Sequence, residues 1–323
     1  MYIDLHCDTI MALMEKEGLN LWDAPLQINT KKLIEGGCML QCFAMFVIYK
    51  CENPFEKCME MIDRYYLELE KNKDYILPAY NYDDIINNQK NGKISALLTI
   101  EEGGVTKGNL AFLRDFYRLG VRMICLNWNF INGVGHPNFI YEGDKKPDFK
   151  TPNTTLGLTS YGFEMVKEMN RLGMIVDVSH LSDKGFYDVI NTSTKPIVAT
   201  HSNARGACNH VRNLTDDMII ALDKNGGVMG MNYCADFLNE DNDKGVNTID
   251  EVVRHIKYIK NLVGVDVISL GSDFDGIDPN IELKDASFMP KLIEKLRLEG
   301  FSNEEIDKIC YLNFLRVAKE VLK

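Results

Sequence analysis

Short apolar runs rich in β-branched residues recur along the chain. Each is followed by a longer stretch in which apolar positions return every three or four residues. The first kind reads as strands buried on both faces, the second as amphipathic helices laid over them. The runs predict strands over residues 3–6, 40–47, 95–100, 122–127, 174–178, 197–200, 228–232 and 267–270. Helical spacing predicts helices over 54–71, 111–119, 160–172, 184–191, 216–224, 250–263, 289–298 and 303–322. Eight strands alternating with helices imply an α/β fold with a parallel sheet closed on itself, a (β/α)8 TIM barrel. An open, doubly wound sheet is the competitor, but no GxGxxG follows the first strand. The pattern breaks near 17–29 and 130–155, where Pro, Gly and Asn accumulate. These stretches read as loop insertions at a barrel mouth, so the expected organisation is one catalytic barrel over 1–323.

A length of 323 residues suits such a decorated barrel, and the net charge of −11 narrows its partners. An acidic chain lacks the clustered cations that phosphate backbones require, so no nucleic-acid partner is expected. The basic pairs Lys31-Lys32 and Lys145-Lys146 read as solvated loops. The nine cysteines are odd in number, and most sit inside apolar runs without CxxC or CxxH spacing. They read as reduced core residues of a cytoplasmic protein. Cys38, Cys42, Cys51 and Cys58 lie close in sequence, which leaves a thiolate metal site open. The opening MYIDLHCDTI has no basic segment followed by an apolar run, and the apolar stretch 43–48 is too short to span a bilayer. The expectation is a soluble protein without a membrane partner.

Polar residues able to bind metal punctuate the strand ends. Strand one ends in His6-Cys7-Asp8, where period-two alternation puts the imidazole and the carboxylate on one face. Strand three ends in Glu101-Glu102-Gly103-Gly104; a carboxylate beside two glycines lets backbone and ligand approach closely. Strands five and six each deliver one histidine, His180 and His201, from a chain with six in all. Strand eight ends in Gly271-Ser272-Asp273-Phe274-Asp275-Gly276. In a (β/α)8 barrel the C-terminal strand ends converge on one mouth, and buried carboxylates there are costly without a cation. Mixed nitrogen and oxygen donors suit Zn²⁺, and also Mn²⁺ or Co²⁺.

The motifs DLHCD, EEGG, GLTSYGFEMVKEMNRLGMIVDVSH, ATHSNAR, HVRNLTDD and GSDFDG, in this order, resemble the membrane (renal) dipeptidase family, the M19 metallopeptidases. The resemblance spans nearly the whole chain. It implies a site for two divalent ions, zinc foremost, and hydrolysis of dipeptides by a hydroxide bridging them. A D-residue at the C-terminal position of the substrate is left open. By motif, His6 and Asp8 bind one metal, His180 and His201 the other, and Glu102, directly before Gly103-Gly104, bridges. Arg212 binds the substrate's carboxylate. Asp273 lies beside the bridging water and the substrate amine, and serves as general acid–base ahead of Asp275. The resemblance also suggests a homodimer. One departure stands out: Trp128 occupies the place of a histidine that the mammalian family member uses to polarise the scissile carbonyl. Trp128 then becomes a substrate-binding residue through its indole, with His136 as a candidate substitute for the lost imidazole. His210 and His255 read as structural or surface residues. Two alternatives stay open: an amidohydrolase-type barrel acting on another amide or ester, and a binding protein that has lost catalysis.

Overall fold

The computed structural model of the chain describes residues 1–139, 148–240, 248–278 and 282–323. Its strands are β1 (Tyr2–Asp4), β2 (Cys38–Phe46), β3 (Ile76–Pro78), β4 (Ile94–Glu101), β5 (Met123–Cys125), β6 (Ile175–Asp177), β7 (Val198–Ala199), β8 (Val228–Met231) and β9 (Ile268–Leu270). They form one parallel sheet in the order β1-β2-β4-β5-β6-β7-β8-β9, with β3 attached to β4 outside this path. The ring closes between its ends: Leu5 N donates to Leu270 O at 2.9 Å, and Cys7 bridges Phe274 in parallel. Eight parallel strands with helices outside make the (β/α)8 barrel expected from the pattern.

Two apolar layers hold the ring. Leu40, Cys42, Leu97, Met123, Ile175, Val198 and Val228 meet in one cluster inside it, and Phe314, Val317 and Val321 of the last helix join them. Ala96, Leu98, Ile100, Ile124 and Val176, on the alternate positions, pack in the larger cluster against the helices. Period-two alternation therefore decides which side chains face the barrel axis. The helices Ser160–Leu172, Asp183–Thr192 and Asp216–Lys224 begin where Thr159, Ser182 and Thr215 accept a first-turn N–H, as N-capping requires.

The ladders are shorter than the apolar runs. Side-chain carboxylates explain this at two strand ends. Asp177 Oδ1 accepts from Ser179 N at 2.9 Å and from Thr200 N at 3.0 Å, and Asp4 Oδ1 accepts from Ser272 N at 2.7 Å. The chain leaves the sheet there without orphaning its donors. Strand β3 and the helices Thr9–Glu15, Thr30–Gly36 and Tyr82–Lys90 are additions to the sequence-based pattern, and the closing helix is interrupted by a π-turn over Lys308–Leu312. Of the insertion near 130–155, residues 140–147 lie outside the described residues, as does the pair Lys145-Lys146. All nine cysteines are free thiols. No helix among the described residues is long and apolar enough to cross a membrane.

Candidate metal centre

Buried carboxylates and hydroxyls at the strand ends fix the histidines before any metal is considered. Thr200 donates its hydroxyl to Asp177 Oδ2 at 2.5 Å, so its oxygen is left to accept from His201 Nδ1 at 2.8 Å. Asn129 Oδ1 stands 2.8 Å from His180 Nδ1. Both imidazoles are thus held with Nδ1 protonated and Nε2 as a lone pair. His180 sits at φ 68, in the left-handed region, just beyond β6; Asp273 does the same beyond β9 at φ 64. Such backbone is costly outside glycine and is typical of functional sites. Asp4 steadies the β9 end, accepting from Ser272 Oγ at 2.6 Å.

The donor atoms converge. His180 Nε2 and His201 Nε2 are 2.9 Å apart, and Glu101 Oε1 lies 3.0 Å from the first and 3.5 Å from the second. Glu101 Oε2 lies 3.2 Å from His6 Nε2, which is also 3.7 Å from Asp8 Oδ2 and 3.8 Å from Asp273 Oδ1. Three groups have donor atoms within 4.8 Å of one another: His6, Asp8 and Glu101; Glu101, His180 and His201; His6, His201 and Asp273. Glu101 belongs to two of them. Two unprotonated nitrogens at 2.9 Å repel unless a proton or cation lies beside them. His6 Nε2 and Asp8 Oδ1 are buried and have no hydrogen-bond partner among the described residues. Orphaned donors of this kind, in a set of imidazoles and carboxylates, fit divalent cations.

The electrostatics agree. Burial alone would raise the Glu101 carboxyl, but the charge of His6 beside it holds it well below the usual range. Burial raises Asp8 to about 7 and raises Asp273, while it lowers His180 to about 3 and also lowers His201. Above the cluster opens a cavity of about 290 Å³. Its walls include Phe46, Trp128, Phe139, Phe149, His210, Phe237 and the buried guanidinium of Arg212.

A model of the membrane dipeptidase family matches residues 1–323. The chain belongs to the membrane dipeptidase family, peptidase family M19. This member is a metallo-dipeptidase, and the metal dependence of the family agrees with the buried donor cluster. Dipeptidase tcpJ of Claviceps purpurea is 30% identical over 305 residues, covering 91% of this chain and 69% of that protein. The crystal structure of dipeptidase AC, a metallopeptidase of family M19, superposes with a TM-score of 0.91 at 26% identity, covering 99% of this chain and 98% of the other. A metallopeptidase from Rhodobacter sphaeroides, crystallised with a phosphinate mimic of the dipeptide L-Ala-D-Ala, superposes with a TM-score of 0.90 at 25% identity over 99% of both chains. The amidohydrolase alternative falls with this membership.

Set against the family motifs, the structure brings His6, Asp8, His180, His201 and Asp273 together and puts Arg212 and Trp128 in the cavity wall. It corrects one expectation. Glu102 does not join the cluster; Glu101 does. Glu101 ends β4 in phase with Leu97, which faces the barrel interior, whereas Glu102 follows at φ 105 and turns out. The Glu102 carboxylate accepts from Trp128 N at 3.1 Å, Gly104 N at 2.8 Å and Asn132 Nδ2. Burial raises its carboxyl to about 7. It braces the loop after β5 rather than facing the histidines.

His136 is no substitute for the missing family histidine. Its Nδ1 bonds Gly157 O at 2.8 Å, and it does not line the cavity. His210, read as structural or surface, lines the cavity and stacks on Phe149 at 4.9 Å. His255 is wholly buried and structural. Asp275 reaches the cavity wall, but its carboxylate accepts from Gln27 N at 2.6 Å and Thr9 Oγ1 at 2.7 Å, tying the 17–29 insertion to the mouth. Asp4, Thr200, Asn129 and Asp177 escape a search for metal ligands because they act through the ligands. Asp177 and Thr200 do carry a signal: each is polar within an otherwise apolar run.

Proposed function

We propose that this dipeptidase works with two divalent ions, zinc foremost and Mn²⁺ or Co²⁺ as alternatives. His6, Asp8 and Glu101 hold one, and Glu101, His180 and His201 hold the other. The observation that carries this reading is the membership of Glu101 in both donor groups. Bound ions at such a site polarise the scissile carbonyl and lower the pKa of an attacking water. The chain's residues do the rest. Asp273, raised by burial and held through Oδ2 by Asn232 Nδ2 at 2.8 Å, takes the water's proton and returns it to the leaving amine. Arg212 is buried with its Nε lacking a hydrogen-bond partner among the described residues, so it is free to pair with the substrate's terminal carboxylate. Trp128 bounds the cavity by packing, its ring 5.9 Å from that of His180, and cannot act as the cation its histidine counterpart would be.

A cavity of about 290 Å³ suits a dipeptide. The ligand of the Rhodobacter relative supports including substrates with a D-residue at the C-terminal position. The same reading takes the enzyme as a cytoplasmic homodimer, which light scattering and cell fractionation check. To test the function, chelated protein is assayed with L,L- and L,D-dipeptides and tripeptides before and after addition of Zn²⁺, Mn²⁺ or Co²⁺. Restored cleavage of dipeptides alone is expected, with Arg212→Lys raising KM while metal content stays. Metal-loaded protein that binds dipeptides without cleaving them would instead identify a binding protein.

A further inference from the structure

Arg205 closes the ATHSNAR segment and stays outside the cavity. Its guanidinium forms a two-pronged ion pair with Asp183, Nη1 to Oδ2 and Nη2 to Oδ1, both at 2.7 Å. The two side chains are only 11% and 10% exposed, so the pair is fixed in place and little screened. The remaining donors of Arg205 point at one short stretch of backbone. Nε donates to Asn213 O at 2.9 Å and Nη2 to Val211 O at 3.2 Å. These are the carbonyls on either side of Arg212. Asn138 reinforces the same point: its Nδ2 donates to Asp183 Oδ1 at 3.0 Å and to Val211 O at 2.8 Å, and its Oδ1 accepts from Asp183 N at 3.1 Å. Backbone bonds complete the frame, Arg205 N to Leu214 O at 2.7 Å and Val211 N to Phe149 O at 2.9 Å.

Arg212 itself is weakly held at its tip. Its Nη2 donates to His201 O at 3.2 Å, and its buried Nε has no hydrogen-bond partner among the described residues. The direction of its long side chain is therefore set at its root, by the backbone that Arg205 and Asn138 grip at the residues before and after it. We infer that Arg205, Asp183 and Asn138 form a clamp of positioning residues that aims Arg212 at the substrate's terminal carboxylate. The inference rests on the carboxylate-binding role of Arg212 proposed above. The clamp also joins the helix after β6, where Asp183 is the first residue, to the loop after β7 that carries Arg212. An arginine fork misplaced by an ångström loses much of its contact.

The test compares a dipeptide with the same dipeptide amidated at its C-terminus, which lacks the carboxylate Arg212 binds. Breaking a buried ion pair by removing one partner endangers folding, whereas replacing both partners with apolar residues often does not. The variants are therefore Asp183→Leu/Arg205→Met together, and Arg205→Lys, which keeps the charge and loses the fork. In the folded variants KM for the dipeptide should rise about tenfold or more. Its kcat, the metal content and the KM for the amide should stay near those of the parent. An unchanged dipeptide KM, or an equal rise for the amide, overturns the clamp. A parent enzyme that treats dipeptide and amide alike removes the carboxylate role of Arg212, and the clamp inference with it.

Discussion

Glu101 and Glu102 are chemically identical and one peptide apart, yet their carboxylates meet opposite surroundings. Glu101 faces three imidazoles, and Glu102 faces two backbone N–H groups and an amide. The motif EEGG carries no mark of which acid turns inward. Strand phase does: Leu97 is interior, so Thr99 and Glu101 follow it, and Glu102 lies one residue past the strand. A place before two glycines favours Glu102, but strand phase selects Glu101. Close contact makes a second residue decisive. A Cβ on Gly276 would stand 2.0 Å from Asp8 Oδ2 and 3.0 Å from Asp273 Oδ1. Gly276→Ala should displace the Asp8 carboxylate and lower metal affinity roughly 10- to 100-fold. Metal titration of the chelated variant checks this, and an affinity equal to the parent's would refute it.

At the scale of elements, all eight barrel strands are legible in the sequence, because strands buried on both faces leave unbroken apolar runs. The long helices are legible for the same reason, through their 3.6-residue apolar spacing. The pieces that escaped are short. Strand β3 has three residues, one of them Pro78, and the helices Thr9–Glu15 and Thr30–Gly36 have seven each. Too few periods fit in such segments to separate helix, strand and loop. Backbone approaches backbone closely where the ends of β7, β8 and β9 meet. A Cβ on Gly230 would meet Thr200 O at 2.0 Å and Gly271 Cα at 3.0 Å. Both neighbours are backbone and cannot swing aside, so Gly230→Ala should cost about 3 kcal/mol. Because Thr200 also sets the His201 ring, activity should fall with stability. Urea unfolding reads the first effect; a midpoint within error of the parent's would count against this close approach.

Across the whole molecule, buried neutral histidines couple folding to pH independently of the metal centre. His255 accepts from Ala204 N at 3.2 Å, meets Leu238 O at 3.1 Å through Nε2, and is depressed by burial from 6.5 to about 4. The unfolded chain takes up a proton below pH 6.5 that the folded chain refuses until about pH 4. Its contribution is therefore fully present above 6.5 and is lost as pH falls toward 4, by about 3 kcal/mol. Gln offers one acceptor and one donor in similar places, so His255→Gln should flatten this acid limb. Stability of both proteins measured between pH 7 and 4 checks it; parallel curves would exclude His255 as the cause. The barrel's larger consequence is to gather carboxylates and imidazoles from strand ends far apart in the chain around Glu101. The most direct test is the metal content per chain, by mass spectrometry, of the parent, Glu101→Gln and Glu102→Gln. The expected result is two ions in the parent, close to two in Glu102→Gln, and loss of at least one in Glu101→Gln. Full occupancy in Glu101→Gln together with loss in Glu102→Gln would contradict a site built on Glu101.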